Sequence, residues 1–423
     1  MADPLIKRGL NLRAAYIWGG GVTIAVRDEP GTGQDINAVV QSFLDDHDNL
    51  GTFVDTTARI ELERSLGIVG EVALCLPTDP VSGRVRVRVL PPEQITRIAK
   101  DPEDAASEQL YLREWADSSG QPVKAWYPAL GYRPSQRDRY RDEVEIRWDH
   151  PIKLVRVNRV GDRGVGDVFA AVPWAAAYKR FLEAWSQLTA SLSRFAYQVR
   201  TRGDRVADAA AKLARANAEA GQNITTDPNT YLEAVGKSGA TIDSESGRPL
   251  AAMVAAALDL PVTTLLGDPG VTGARATAES VTDASWPVFD VRQQMWGSVL
   301  RDVCSWVIDS AVISPAGPLR GTIARDGDRM YAVLPDGDGR TIEVVWPERD
   351  DTGTLDRIKA IQLADQMERI PPLTIAKMIL DALDVKDSDE VLDIITDDQG
   401  NFVPLDVIDA RVRQRLGDQG EQA

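Results

Sequence analysis

Histidine and cysteine are almost missing: the 423 residues hold two of each. Cys75 and Cys304 lie far apart in apolar surroundings, so a disulfide framework is excluded and a reducing compartment is expected. A zinc site needs clustered Cys and His, which this chain does not supply. His47 sits in the acidic run Asp45-Asp46-His47-Asp48 and His150 precedes Pro151, neither beside a Ser or Cys motif, so nucleophile–histidine catalysis has no support. No apolar run is long enough to span a bilayer; the longest covers about residues 249–260. The opening MADPLIKRGL lacks the apolar core of a secretion signal. A soluble chain, made and used inside a cell without a membrane, is expected.

Positive charge is also short. Lys+Arg number 48 against 64 Asp+Glu, a net of −16, which argues against a general nucleic-acid binder. Residues 348–423 carry 9 Lys+Arg and 18 Asp+Glu, a net of 9 − 18 = −9, so over half of the excess sits in the last fifth. The one local basic cluster, Arg200, Arg202, Arg205, Lys212 and Arg215, is mixed with Asp204, Asp208 and Glu219 and reads as a solvated helix face.

Length allows two to four domains, and 43% hydrophobic residues allow a sizeable core. Residues 13–28 suggest a strand interrupted by Gly19-Gly20-Gly21. Helices are expected over 35–45 and 55–66, the second with Asp55 as N-cap. A β-meander follows: a strand at 72–76, a turn at 78–83, and a strand at 84–90 with alternating Val85, Val87 and Val89. Further strands are expected at 109–116, 123–127 and 143–149, separated by a Pro- and Arg-rich loop at 128–142. The first 160 residues therefore read as α+β.

The next region is helical. Behind Pro173, a residue suited to a first helical position, run Trp174, Tyr178, Phe181, Trp185, Leu188, Leu192, Phe195 and Val199 at alternating spacings of 4 and 3. That stripe predicts a packed seam. Residues 221–247 read as loop and strand, and 248–259 as a short Ala-rich helix. A long helix is expected over 274–312, bent at Pro287. A hairpin or three-stranded piece at 320–346 turns at Asp326-Gly327 and Asp336-Gly337. The end reads as helices at 354–369, 372–383, 387–395 and 405–416.

Between the short and long helices lies the most informative stretch, with Gly267, Gly270 and Gly273 at every third position and no lysine, histidine or cysteine. Loops of this length between helices are uncommon and tend to be functional. Neither this segment nor 161–166 has the Gly-Lys-Ser/Thr of a phosphate-binding loop. Asp336-Gly-Asp-Gly has half the pattern of a calcium loop, but the ligand spacing stops there and a β-turn explains it better. Acids at 387–390 and Asp397-Asp398 read as solvated helix ends rather than a cation site. Catalytic residues, metal ligands and cofactors are not expected; a metal-dependent nuclease using the C-terminal acids is the least supported reading.

Three segments in order resemble portal proteins of tailed bacteriophages, the ring at one capsid vertex. They are SLGIVGEVALCLPTDPVSGRVRVRVLPPEQITRI (65–98), VGDRGVGDVF (160–169) with the aromatic helix after it, and GRPLAAMVAAALDLPVTTLLGDPGVTGARATAESVTDASWPVFDVRQQMWGSVLRDV (247–303). The stretch LPVTTLLGDP…GARATAES is similar to the tunnel-loop region of portals from phages of actinobacteria. The resemblance covers roughly residues 10–312. It implies an α+β portal fold: wing 1–165, first stem helix 166–200, clip 201–246, second stem helix 247–260, tunnel loop 261–275, long wing helix and β-hairpin 276–350, and crown 351–423. It also implies that Gly267, Asp268, Gly270, Thr272, Gly273 and Arg275 face duplex DNA, which passes transiently and without sequence preference. Trp174, Tyr178, Phe181, Trp185, Trp286 and Trp296 are expected as anchors between helices or subunits. A homo-oligomeric ring of about twelve copies is implied, closed by a head-to-tail contact. The implied partners are the terminase, the head–tail adaptor and the major capsid protein, with assembly in the host bacterial cytoplasm, a place in the virion, and a role in DNA packaging and ejection. Another virion or adaptor protein is the alternative. Against the portal pattern, the N-terminus is short, as though an arm were absent or removed, and 201–246 is more helical and charged than a clip should be.

An acidic ring with one arginine per loop suits a sleeve for sliding duplex. Each neutralised phosphate would add salt-sensitive affinity and friction. Small residues let the backbone come close and change conformation.

Overall fold

The computed structural model describes residues 3–27, 33–193, 197–200, 231–234, 244–267, 285–335, 340–347, 354–367, 369–383 and scattered positions from 391 to 403. Two units divide at Pro347. The second unit contains helices α8 (Thr354–Asp365) and α9 (Pro372–Ala382). The expected helices at 387–395 and 405–416 lie almost wholly outside the described residues, as do the acids at 387–390 and 397–398.

The first unit opens on a helix where alternation had suggested a strand. In α1 (Pro4–Trp18) the Asp3 carboxylate accepts hydrogen bonds from the Leu5 and Ile6 amides at 2.9 and 3.0 Å, and Pro4 occupies the first turn. The cap satisfies donors that a helix start otherwise leaves orphaned. Ile6, Leu10, Ala14, Ile17 and Trp18 form the buried stripe. Only β1 (Thr23–Val26) remains of the expected strand, paired antiparallel with β14 (Ile342–Val345).

Helices α2 (Ile36–Leu44) and α3 (Thr56–Val69) fall close to their expected places. Asp35 caps α2 through the Ala38 amide at 2.7 Å. Asp55 stands at the N-cap of α3 as expected, but its side chain makes no cap bond. The acidic run at 45–48 is not simply solvated: Arg84 binds Asp46 at 2.7 Å, while Arg86 and Arg88 reach Asp48 at 3.0 and 3.4 Å.

Two three-stranded antiparallel sheets make the β part. One has the order β3 (Arg88–Leu90), β2 (Glu71–Cys75), β9 (Ile152–Arg156); the other runs β4 (Ile95–Lys100), β5 (Glu108–Ala116), β6 (Pro122–Pro128). Every residue of β2 is buried, with Val72 and Leu74 in the main core and Ala73 and Cys75 in a second core shared with Ile95, Tyr111 and Tyr127. The period-two alternation of a strand accounts for this division. Leu110, Leu112 and Trp126 turn to a third small core. Of the expected strand 84–90 only the last three residues join the ladder, and of 143–149 only β8 (Val144–Glu145), paired with β7 (Tyr140–Arg141). Strands β4 and β9 carry no clean alternation and were not expected from sequence.

Helix α4 (Val168–Ser193) begins five residues before Pro173, which therefore lies inside it; the expected start at the proline is wrong. It also stops earlier than the stripe. Val199 belongs to β10 (Tyr197–Arg200), paired with β11 (Tyr231–Ala234), and Phe195 lies outside the described residues, as does most of 201–246 with its basic cluster. Next come α5 (Arg248–Ala257), α6 (Val262–Leu266) and α7 (Trp286–Ile313). Pro287 sits in the first turn of described α7, where its missing N–H is harmless, so the expected bend is not found there. Residues 274–284 lie outside the described residues. From Trp296 to Ala311, α7 is buried nearly all round. After it, β12 (Thr322–Asp326) and β13 (Arg329–Val333) form the hairpin turned at Gly327, while β14 leaves it for β1. The Asp336-Gly337 turn lies outside the described residues.

The glycine run at 161–166 acts through backbone proximity. A Cβ on Gly166 would stand 2.1 Å from the Ile68 carbonyl oxygen, and one on Gly164 2.1 Å from that of Gly70. Gly166→Ala is expected to cost about 2–4 kcal/mol, because backbone must move. Gly51→Ala, where the space around a Cβ is empty, should stay within about 0.5 kcal/mol. Urea unfolding of both variants checks the contrast; equal losses would contradict it.

Candidate functional site

The glycine-rich segment has two roots in the described structure, the α5–α6 turn before it and the start of α7 after it. Gly267 ends α6 with φ +69, and its amide donates to the Thr263 carbonyl at 2.8 Å. A Cβ there would meet the Arg8 guanidinium at 3.0 Å, and Arg8 itself donates to the Thr264 carbonyl at 3.3 Å. Left-handed φ and close approach together call for glycine. Asp268, Gly270, Thr272, Gly273 and Arg275 lie outside the described residues.

Behind the roots lies a buried ionic cluster. Asp167, just before α4, receives Arg13 of α1 at 3.0 Å and Arg292 of α7 at 2.6 Å on the same oxygen. Its other oxygen accepts from Asn158 at 2.8 Å. Arg292 also binds Glu63 of α3 at 3.0 Å, and the second Glu63 oxygen accepts from Trp296 Nε1 at 2.7 Å. Arg13 reaches the Leu258 carbonyl at 3.3 Å and Asp259 at 3.5 Å, at the end of α5. The side chains of Arg13 and Glu63 are 4% and 3% exposed, so these charges have little water to fall back on. One cluster thus ties α1, α3, the start of α4, the end of α5 and α7.

Aromatic contacts reinforce the α7 root. Tyr16 stacks on Phe289 at 5.0 Å and meets the edge of Trp286 at 5.0 Å. Trp296 is buried and packs against Trp18 at 5.5 Å. On α4, Tyr178 and Phe181 close over Gly247, where a Cβ would come within 2.4 Å of the Phe181 ring. Trp185 is half-buried, and Trp174 is exposed. The aromatics therefore divide between the core and a surface left open in the single chain.

Sequence reasoning missed Arg13, Glu63, Asp167 and Arg292. A signal was present for three of them. Arg13 falls on the stripe Ile6, Leu10, Ile17; Glu63 lies beside Leu62 and Leu66; Arg292 lies between Phe289 and Trp296 at helical spacing. A charge on an apolar stripe is buried with a partner or not at all.

Burial pushes the Cys75 and Cys304 thiols up to about 12, so neither is a thiolate at neutral pH. Among the described residues no cluster of acids, His and Cys could hold a metal ion. No described helix is long and apolar enough to cross a membrane.

No protein-family model and no curated protein matches the chain. Solved structures resemble it at low identity. The neck of an empty gene transfer agent particle computed with C6 symmetry shares 15% identity at TM-score 0.49, covering 88% of this chain and 87% of the other. A virion of a native gene transfer agent particle shares 16% at TM-score 0.48, covering 87% and 86%.

Arg292→Met leaves Glu63 and Asp167 short of positive charge. It is expected to cost about 3–5 kcal/mol in urea unfolding, and a loss under about 1 kcal/mol would show the cluster to be incidental. Asp259 gives a pH test. Partial burial lifts its carboxyl above the ordinary 3.8, Arg13 opposes the rise, and Asp167 adds to it. With the folded value raised, its contribution to stability is full below the unfolded value and is lost as pH rises through the folded one. Asp259→Asn should therefore melt about 1–2 °C above wild type near neutral pH, a small gain because the side chain is half-exposed. The gain should vanish near pH 4; a gain that grows on acidification would contradict the sign.

Proposed function

We propose that this chain is the subunit of a portal-type ring at one vertex of a tailed-phage capsid, a conduit for packaged and ejected duplex DNA. The observation that carries the reading is the anchored base under the glycine-rich segment. Both roots are fixed by buried ion pairs and aromatic stacking, and the segment between them carries only small, acidic or neutral residues apart from Arg275. A rigid base under a weakly charged glycine segment suits a lip that stays beside moving DNA without holding its phosphates. The ordered resemblance at 65–98, 160–169 and 247–303 supports the same reading.

On this reading residues 1–165 form the wing, 166–200 and 247–260 the stem, 201–246 the clip, 261–275 the tunnel loop, 276–350 the long wing helix and hairpin, and 351–423 the crown. The terminase, head–tail adaptor and major capsid protein are the partners. The open face of α4 supports a ring. Phe169 is 76% exposed and Val172 50%. Val172 and Leu182 line an apolar groove of about 1060 Å³ with Pro4 and Leu5 of α1. Apolar surface of this kind is normally covered by a partner. A neighbouring copy would cover it, and head-to-tail contacts that close give a ring.

Native mass spectrometry of the purified chain should show a closed oligomer of several hundred kilodaltons, consistent with about twelve copies of 46.2 kDa. A monomer persisting across a wide concentration range would contradict the reading. Gly270→Val should assemble normally yet impair DNA packaging or retention, since a β-branched side chain stiffens the lip; wild-type packaging would remove the tunnel assignment.

A further inference from the structure

The Pro- and Arg-rich loop at 128–142 has no part in the portal reading, and it builds an unusual cavity. Arg133 is 9% exposed, and its Nη1 has no hydrogen-bond partner. Its guanidinium carbon lies 3.8 Å above the Trp306 ring, with no carboxylate in ion-pair range among the described residues. Burial pushes its pKa down to about 10, so it is still charged at neutral pH. Ser310 is 1% exposed, and its Oγ is likewise without a partner. Both side chains line a cavity of about 450 Å³ between this loop and the end of α7. Exposed Arg137 lines the same cavity, 5.6 Å from the Trp148 ring, and Arg325 lies close enough to disfavour its charge.

Two acids lie near this charge, and neither bonds its Nη1. Asp149 lines the cavity, with one carboxylate oxygen 2.8 Å from His150 Nδ1. Asp309 favours the Arg133 charge from a distance while bonding Arg340 at 2.8 Å and the Ala332 amide at 2.8 Å. A buried cation with an unmade hydrogen bond is costly, and so is a buried hydroxyl in the same state. Arg133, Ser310 and Arg137 line one cavity, and neither Arg133 Nη1 nor Ser310 Oγ has a hydrogen-bond partner. A carboxylate would be satisfied by one guanidinium fork, whereas a tetrahedral oxyanion takes donors from several directions. The tryptophans under the two guanidiniums hold them ready.

We propose that this cavity binds a free phosphate-type oxyanion, with Arg133 and Ser310 at its floor and Arg137 at its mouth. The proposal is independent of the ring reading.

The test is calorimetric and thermal titration of the full-length protein with inorganic phosphate at constant ionic strength, against acetate and a short DNA duplex. Phosphate should bind saturably and raise the melting temperature, as any ligand of the folded state does. Arg133→Met should weaken phosphate binding by about tenfold or more, the effect of losing one charge-assisted contact. Without phosphate it should be no less stable than wild type. Ser310→Ala, a milder change that preserves the fold, should weaken binding about threefold. Absence of saturable phosphate binding, equal binding by both variants and wild type, or an equal response to acetate would overturn the proposal. So would a shift produced by the duplex alone and abolished by Arg133→Met.

Discussion

The Asp167 carboxylate, shared by Arg13 and Arg292 on one oxygen, is the constraint from which the arrangement of the first unit follows. Two guanidiniums converge on one acid because α1 and α7 cross the start of α4 there. Glu63 offsets the second cation, and Trp296 fills the remaining lone pair. A buried cluster of this kind adds little net stability over a well-packed apolar core. Its effect is specificity: any shift of α1, α3 or α7 leaves a charge stranded in a dry site, so few alternative packings are tolerated. The segment that follows α6 therefore leaves from a fixed point and returns to another.

Backbone proximity works beside this cluster. Gly70, Gly164 and Gly166 let the chain after β9 lie directly on the end of α3, which delivers Asp167 to its two arginines. Glu71 accepts from the Gly164 amide at 2.6 Å and binds Arg163 at 2.9 Å, closing the same turn. A run that looked on sequence like a failed phosphate loop is thus a piece of close packing that places a charge.

How legible this was in the sequence depends on locality. Helices α2, α3, α5, α7 and α9 and strands β2, β5 and β6 follow from periodicity and turn residues. Helix α1 was missed although both its cap, Asp3 with Pro4, and its stripe Ile6, Leu10, Ala14 and Ile17 were in the sequence. Pro173 and Pro287 misled in opposite senses: one lies inside a helix that begins earlier, the other opens the described part of a helix expected to bend at it. Strands β4 and β9 owe their place to partners distant in sequence. Arg13, Glu63 and Arg292 could have been suspected as buried charges on apolar stripes, but which acid each would meet is set by tertiary packing alone. Gly267 was singled out for its place in a glycine run, whereas the structure gives it a local reason, the positive φ that ends α6.

The central proposal is that residues 268–275 line the bore of a ring while the Asp167 cluster braces them from behind. Cryo-electron microscopy of the purified assembly tests it most directly. The account predicts a closed ring with residues 268–275 nearest the axis and Asp167 farther out on the same radius. Density that puts 268–275 on the outer rim, or particles with no central opening, would contradict it.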